Sequence, residues 1–451
     1  MLRATLTTAL GLCLCACATD PMEPVAAAYS AGEYASARDQ LLALRKSDGS
    51  NAHLYGLELG VVHQALSDPK ASVSVLRKSR DTMDRLAEGS YTDWLASTFL
   101  DDSSTTYPGA DYEHVMVRAL LALSDLMAGG HDAFAYALQV RQKQQEIIRT
   151  FDSGDGSNPK QTYKLVVFGN YLRAIMSEED ARDRSEARRE FKIVRELAPD
   201  FAYGADDLER VTNGRFAEKG NGVVHILAMV GRGPRRVELR EEPTAAAMGF
   251  AQVLIAKKNR KYPTPMFVPL PIPGLVFHDD NPEKVAVFAG GKRLGETAVL
   301  TDVEATARAE FRAMKPWILA RAVIRRLIKV AAVEGGKAAV DHNRKHKKGT
   351  EETGKTDLLQ IGFGVLGNLW AATETADLRC WNLLPASFQV LRLEFPEGVH
   401  DITVRPLRGG KLTGQPRNVR VRVVAGYNTY VAAIVPTLDG GPSPMTSRPD
   451  Q

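Results

Sequence analysis

The hydrophobic pattern of this 451-residue chain changes character at about residue 216. Before that point, apolar residues recur at helical spacing, and glycine or proline separates one periodic stretch from the next. After it, residues 222–231 form a continuous apolar run between two glycines, which is typical of a buried strand. The order of these patterns predicts a multidomain α+β protein, with an all-α N-terminal part followed by a β-rich part that helices interrupt.

The composition is that of an ordinary globular protein, with 44% hydrophobic and 25% charged residues. The length allows roughly three domains, each large enough to bury a core of its own. Lys and Arg number 58 against 54 Asp and Glu, a net charge of +4. This small excess predicts no nucleic-acid partner, because such proteins concentrate a large positive charge on one face.

Three of the four cysteines fall within the first seventeen residues, at Cys13, Cys15 and Cys17. Arg3 precedes an apolar stretch at 6–16 that is too short to span a bilayer but suits the core of a signal peptide. We expect residues 1–16 to be removed. Cleavage leaves only Cys17 and Cys380, so the chain is not expected to have a disulfide framework.

The run Leu14-Cys15-Ala16-Cys17 resembles the lipobox of bacterial lipoproteins. The resemblance implies that Cys17 carries the lipid, and several acyl chains on one residue hold a protein stably to a membrane. Ala18 follows, where enterobacterial lipoproteins retained in the inner membrane have Asp. By analogy we expect attachment to the outer membrane, facing the periplasm. A secreted protein with a Cys-rich signal peptide is the alternative.

The stretch from Gly32 to Leu44 has glycine, Tyr34 and Ala37 in a pattern that resembles the turn and second helix of a tetratricopeptide repeat (TPR). Weaker returns occur around 67–69 and 129–130. A last match contains Ala187, Phe191 and the terminating Pro199. These residues are expected to pack the helices of three or four degenerate repeats across 24–215. An ordinary helical bundle is the alternative.

Several polar groups are weak candidates for metal binding or catalysis. His225 lacks nearby ligands, the adjacent residues of His278–Asp280 do not converge easily on one ion, and the loop at 152–159 lacks the acidic residue of an EF-hand. His342 and His346 stand four residues apart within a basic run. Asp101 and Asp102 lie in a polar insert. The sequence therefore predicts no metal, no cofactor and no catalytic residue.

Residues 301–302 are predicted to cap a helix that continues to Val333 with a break at Pro316. Its second half has a basic face that fits either a packed helix or a membrane surface. Residues 358–373 are nearly uncharged and favour a buried helix over membrane contact.

Alternating residues at 388–395 and 400–405 predict a hairpin in a small β-sandwich-like module. The predicted organisation is a signal peptide (1–16), a lipidated tether (17–23), TPR-like repeats (24–215), a β-rich domain (216–300), a helical segment (301–345), a charged linker (346–357), an apolar helix (358–376), a C-terminal β module (377–436) and a disordered tail (437–451).

The lipobox, the helical repeats, the helix entry at 301–303 and the stretch Ala376–Pro385 together resemble a family of bacterial outer-membrane lipoproteins with N-terminal TPR-like repeats and a C-terminal β module. Members of that family appear alongside lipoproteins that activate peptidoglycan synthases. The resemblance implies a lipid-anchored scaffold that binds periplasmic or outer-membrane proteins through its repeats, without catalysis. Two alternatives remain open: a cell-wall or glycan-active enzyme, and a lipid-handling or membrane-perturbing protein.

The lipobox generates a first prediction. Replacing Cys17 by Ala should move the protein from the membrane fraction to the soluble fraction, because no acyl chains then anchor it. Fractionation followed by immunoblotting measures the change. Cys15→Ala is the matched control and should leave the protein on the membrane. Retention of the Cys17→Ala protein on membranes washed at high salt would contradict the anchor.

Overall fold

The computed structural model describes residues 20–88, 106–151, 156–179, 182–256, 269–346 and 375–449. It confirms a mixed α+β chain with helices in the N-terminal part and sheets in the C-terminal part. Cys17, Asp101, Asp102 and most of the predicted linker and apolar helix at 346–376 lie outside the described residues.

Nine α-helices follow one another in the N-terminal part of the described chain, and each packs chiefly on its neighbours in sequence. Two short 3-10 helices, Gly49–Asn51 and Pro159–Thr162, lie between them. The helices are α1 (Glu23–Ser30), α2 (Tyr34–Ser47), α3 (Ala52–Ala65), α4 (Pro69–Ala87), α5 (Asp111–Met127), α6 (Ala133–Arg149), α7 (Phe168–Ser177), α8 (Ser185–Leu197) and α9 (Gly204–Thr212).

The turns between these helices use the residues expected at helix ends. Gly32 separates α1 from α2 with φ of +80°, a left-handed conformation that glycine adopts without strain. Asp68 precedes α4, and its carboxylate accepts a hydrogen bond from the backbone N–H of Ala71 at 3.0 Å. Gly129, with φ of +67°, follows α5. These turns reverse the chain so that successive helices pack against each other.

The helices form two layers, which differ in how much of each helix is buried. Helices α3, α5 and α7, here called the inner helices, are buried over nearly their whole circumference. Helices α2, α4, α6 and α8, the outer helices, bury only one stripe and expose the rest. This difference follows from sequence, because the inner helices are apolar on all sides whereas the outer ones carry a polar face.

Twelve strands in the described chain form two larger sheets and one hairpin. The strands are β1 (Asn221–Val230), β2 (Arg235–Glu241), β3 (Leu270–Val276), β4 (Lys284–Ala289), β5 (Lys292–Glu296), β6 (Ala298–Asp302), β7 (Ser387–Pro396), β8 (Gly398–Arg408), β9 (Lys411–Leu412), β10 (Arg417–Val423), β11 (Asn428–Val435) and β12 (Ser443–Thr446). The first sheet has the order β12-β11-β1-β7-β6 and the second β10-β8-β4-β5, with β9 beside β8. Strands β2 and β3 form the hairpin.

Strand β1 lies in the middle of the first sheet, parallel to β11 and antiparallel to β7. Val224 and Ile226 belong to the core between the two sheets, whereas Leu227 and Met229 belong to the core shared with the helices. Both faces of the strand are therefore buried, which explains why its sequence is a continuous apolar run. Phe388 of β7 stacks on Phe168 of α7 with ring centroids 4.6 Å apart.

Strand pairing joins segments that the sequence analysis assigns to separate units. Strands from 216–300 and 377–436 share both larger sheets, since β1 pairs with β7 and β4 pairs with β8. The predicted disordered tail at 437–451 is wrong where the chain is described, because β12 adds to the edge of β11. Alternation identified β7 and β8 and a continuous apolar run identified β1, but pairing partners depend on tertiary structure.

Two further helices, α10 (Ala245–Ala256) and α11 (Val303–His346), pack with the hairpin around a small third core. Asp302 caps α11, since its carboxylate accepts from the N–H of Ala305 at 2.8 Å. The predicted break at Pro316 is wrong, because the helix continues through it. Leu319, Val323 and other apolar residues in the second half of α11 pack into this core, as the packed-helix alternative expects. Within the described residues, no helix is both long enough and apolar enough to cross a membrane.

The layered packing predicts that the helices do not form a stable unit alone. Expressed without the sheets, residues 20–215 should be insoluble, because the apolar inner helices would face water. Co-expression with residues 216–451 should restore a soluble complex. Solubility and size-exclusion chromatography measure both outcomes. A soluble, monomeric helical fragment with full helix content would contradict the prediction.

Candidate functional site

The largest concentration of buried polar groups lies where the inner helices meet residues 376–385, here called the junction segment. Glu58 of α3 is completely buried. One of its carboxylate oxygens accepts from the backbone N–H of Asn382 at 2.7 Å, and the other accepts from that of Leu383 at 2.9 Å. Because both of its oxygens bind backbone N–H groups of neighbouring residues, Glu58 fixes the junction segment against α3.

A second buried carboxylate, Glu113 of α5, holds the preceding residue of the junction segment. Its Oε1 accepts from the backbone N–H of Trp381 at 2.9 Å. Its Oε2 accepts from the hydroxyl of Tyr107 at 2.7 Å and from the N–H of Ala110 at 3.1 Å. The contact with Ala110 also satisfies an N–H at the start of α5. One side chain thus caps a helix and binds the junction segment.

Two arginines flank the ring of Tyr107 at the same place. The guanidinium carbons of Arg236 and Arg379 lie 5.7 and 5.6 Å from the ring centroid. Arg236 donates to the carbonyl of Arg379 at 3.0 Å, and Arg379 pairs with Asp377 at 2.8 Å. These contacts attach strand β2 to the junction segment, and the two cations offset part of the negative charge on the buried carboxylates.

A third carboxylate, that of the half-buried Glu310 of α11, accepts from the backbone N–H groups of Asp111 and Tyr112 at 3.0 and 2.7 Å. These are the first residues of α5, so Glu310 lies at the positive end of the helix dipole. Asp111 in turn pairs with Lys160 at 2.6 Å. The arrangement holds α11 against α5 in the same way that Glu58 holds the junction segment.

Burial governs the titration of these groups. It raises the pKa of Glu58 to about 8, because it outweighs the stabilising effect of the N–H donors on the charged form. Burial likewise raises the pKa of Glu310 to about 8 and that of the Cys380 thiol to about 12. Cys380 is therefore a poor nucleophile, since the thiolate is the reactive form.

A second polar cluster lies between helices α7 and α9 and the first sheet. Arg210 donates to Glu178 at 2.7 Å and to Asp207 at 3.0 Å, and His225 lies 3.6 Å from Glu178. Burial raises the pKa of Asp207 to about 6 and lowers that of His225. The Glu178 carboxylate is also buried, but His225 and Arg210 outweigh this effect and lower its pKa.

His225 thus lies in a charged network rather than among apolar side chains. Its Nε2 is 3.1 Å from the side-chain oxygen of Asn428. Across the part of the chain that the structure describes, no group of three His, Cys, Asp or Glu side chains has the geometry of a metal site. Of His278–Asp280, the last residue pairs instead with Arg232 at 3.4 Å.

The residues predicted for repeat packing lie at the first and last helix pairs. Ala37 is fully buried, and Tyr34 packs on Tyr29 with ring centroids 5.5 Å apart. Gly32 meets the backbone of Gly440, and a Cβ on it would come within 2.9 Å of that carbonyl oxygen. The turn between α1 and α2 therefore also contacts the C-terminal segment.

At the other end, Ala187 and Phe191 are buried in α8, and Phe191 contacts the ring of Tyr171 edge-on at 5.8 Å. Pro199 is exposed two residues beyond the end of α8. These side chains pack helices against each other. The residues predicted near α1 and α2 and those predicted near α8 do not come together in one site.

The sequence analysis did not identify the buried carboxylates, although Glu58 and Glu113 each have a recognisable local sequence context. Glu58 is a single charge within the apolar stretch from Leu57 to Val62. Glu113 occupies the third position of α5, where a capping-box residue is expected. The sequence gives no indication of which distant N–H groups these carboxylates bind.

An open cleft of about 490 Å³ lies between the α8–α9 connection and strand β5. Its polar side chains include Tyr203, Arg293 and Glu296, and Arg293 pairs with Glu296 at 2.6 Å. The hydroxyl of Tyr203 donates to the carbonyl of Glu296 at 2.6 Å. These groups bind one another, so the cleft does not present converging catalytic side chains.

Comparisons with protein-family models, with curated proteins and with solved structures returned no match to this chain.

The raised pKa of Glu58 predicts a pH dependence of stability. An unfolded Glu loses its proton near pH 4.5 and the folded Glu58 near pH 8, so its contribution to stability is present below 4.5 and is lost as pH rises through 8. Between these two pH values, the free energy of unfolding should fall by on the order of 1.4 kcal/mol per pH unit for this group.

Glu58→Gln removes one of two such titrations, since Glu310 also has a pKa of about 8, and should make the fall of the denaturant midpoint between these pH values shallower. The exposed Glu88 provides the control, because Glu88→Gln should keep the wild-type slope. A Glu58→Gln protein with the wild-type slope would show that Glu58 does not carry the effect.

Proposed function

We propose that the protein is a lipid-anchored scaffold of the bacterial envelope, attached through Cys17 to the outer membrane and facing the periplasm, which binds other envelope proteins without catalysis. The observation that carries this proposal is the use of the buried and half-buried carboxylates. Glu58, Glu113 and Glu310 all accept backbone N–H groups of the same chain, so they hold a platform together. A link to cell-wall assembly rests on the family resemblance alone.

The TPR-like character of the helices belongs to the same proposal. Helices α1 to α8 each pack chiefly on their neighbours along the chain, which supports a helical repeat array. Such arrays usually hold a peptide on their inner side. Here the inner helices pack on the first sheet and on the junction segment, so that side is occupied within the chain.

The protein partner therefore needs another surface, and we assign it to the outer face of the second sheet. Exposed apolar side chains lie on three of its strands: Leu294 on β5, Val399 on β8 and Leu412 on β9. Exposed apolar side chains of this kind are available to pack against a bound protein. The edge strand β5 also offers unpaired backbone groups to an extended segment of a partner.

Site-specific photocrosslinking in native membranes tests this assignment. A crosslinker at Val399 should capture a discrete envelope protein, and Val399→Asp combined with Leu412→Asp should abolish its co-purification. The matched control is Leu42→Asp combined with Leu86→Asp on the outer helices, which should retain the partner. Both pairs change exposed residues, so folding is expected to persist. Equal loss of the partner in both pairs would contradict the second sheet as the binding surface.

A further inference from the structure

We propose that the outer helices form a second, separate binding face, which lies on a leaflet of anionic phospholipid. This inference rests on the proposed lipid anchor at Cys17. It concerns the opposite side of the molecule from the second sheet, because the inner helices and the first sheet lie between the two faces.

Charge is segregated between the two helix layers. The four outer helices contain fifteen Lys or Arg against seven Asp or Glu, a net charge of +8. The three inner helices contain two basic and four acidic residues, a net charge of −2. The whole chain has a net charge of only +4, so the outer layer is much more basic than the rest.

Solvent exposure increases this imbalance at the surface. Ten of the basic residues on the outer helices are exposed, whereas only four of the acidic ones are. Of the buried or half-buried acids, Glu190 already pairs with Arg173 at 3.1 Å, and Asp84 pairs with Arg118 at 2.6 Å. The remaining positive charge faces water, where a negatively charged membrane surface attracts basic residues.

Each outer helix also exposes one large apolar side chain, namely Leu42, Leu86, Phe134 and Leu197. The exposed fractions run from 38% for Leu86 to 47% for Leu42. Basic residues combined with exposed apolar side chains are typical of helices that lie at a membrane interface. An acidic protein partner would account for the charge, but the anchor favours the membrane.

The anchor limits how far this face can be from lipid. Cys17 lies three residues before Asp20, the first described residue, so their Cα atoms are at most about 11 Å apart. Helix α1 begins at Glu23, and α2 is the first outer helix. The first helix pair is thus held close to the bilayer, where electrostatic attraction is effective over a Debye length of about 8 Å.

Not every cation on this face is available for lipid. Arg80 pairs with Asp81 at 2.7 Å and Arg189 contacts Glu186 and Glu190. Lys46, Lys78 and Arg188 lie on three different outer helices, are exposed, and make no ion pair with any residue that the structure describes. These three residues can be reversed in charge without breaking a contact, so they are the sites for a test.

Vesicle flotation of residues 18–451, purified without leader or lipid, measures the contribution of the face alone. We expect binding to phosphatidylcholine vesicles that contain phosphatidylglycerol, weak binding to phosphatidylcholine alone, and loss of binding at high salt. Lys46→Glu, Lys78→Glu and Arg188→Glu together should lower the partition coefficient by about tenfold or more.

The matched control reverses three exposed lysines away from the outer helices, Lys219, Lys292 and Lys411, which gives the same change in net charge. This control should bind vesicles as the wild type does. Equal binding to neutral vesicles, no binding to anionic ones, or an equal loss in both triple variants would overturn the proposal. Failure of the anchor is seen separately in cells, as retention of the Cys17→Ala protein on membranes washed at high salt, where the outer helices do not hold lipid.

Discussion

The structure depends on the burial of the first sheet on both faces. One face packs against the inner helices and the other against the second sheet, so strands β1 and β11 have no solvent-exposed side. Apolar side chains on two faces of one sheet require two covering layers, and neither layer is stable without the sheet. The order of layers, from outer helices to second sheet, follows from this one requirement.

Buried carboxylates fix the position of the layers where apolar packing alone would let them slide. Glu58 reaches a segment 324 residues further along the chain, and Glu113 reaches one 268 residues further. Burying a carboxyl group is unfavourable unless it is hydrogen-bonded, so a shifted register would leave a buried polar group unsatisfied. These bonds therefore select one arrangement of the junction segment, and the burial that comes with it raises the pKa of Glu58.

The same layering gives the molecule two different surfaces. The inner helices are buried against the first sheet and the junction segment. The binding functions expected of a repeat array are therefore assigned to the outside of the protein. We assign the basic outer helices to lipid and the second sheet to a protein partner. A short tether from Cys17 then suffices to orient the molecule, because the two faces lie on opposite sides of the buried core.

Sequence by itself determined the helical and strand-rich parts, the turns at Gly32, Asp68 and Gly129, and the cap at Asp302, because these depend on local periodicity and backbone geometry. The resemblance of the run Leu14–Cys17 to a lipobox is also local in the sequence. It could not show that residues from 216–300 and 377–436 share two sheets, that residues 443–446 form an edge strand, or that Glu58 binds Leu383. Only the tertiary structure decided these features, because pairing register and buried charges depend on groups that lie far apart in the chain and close together in space.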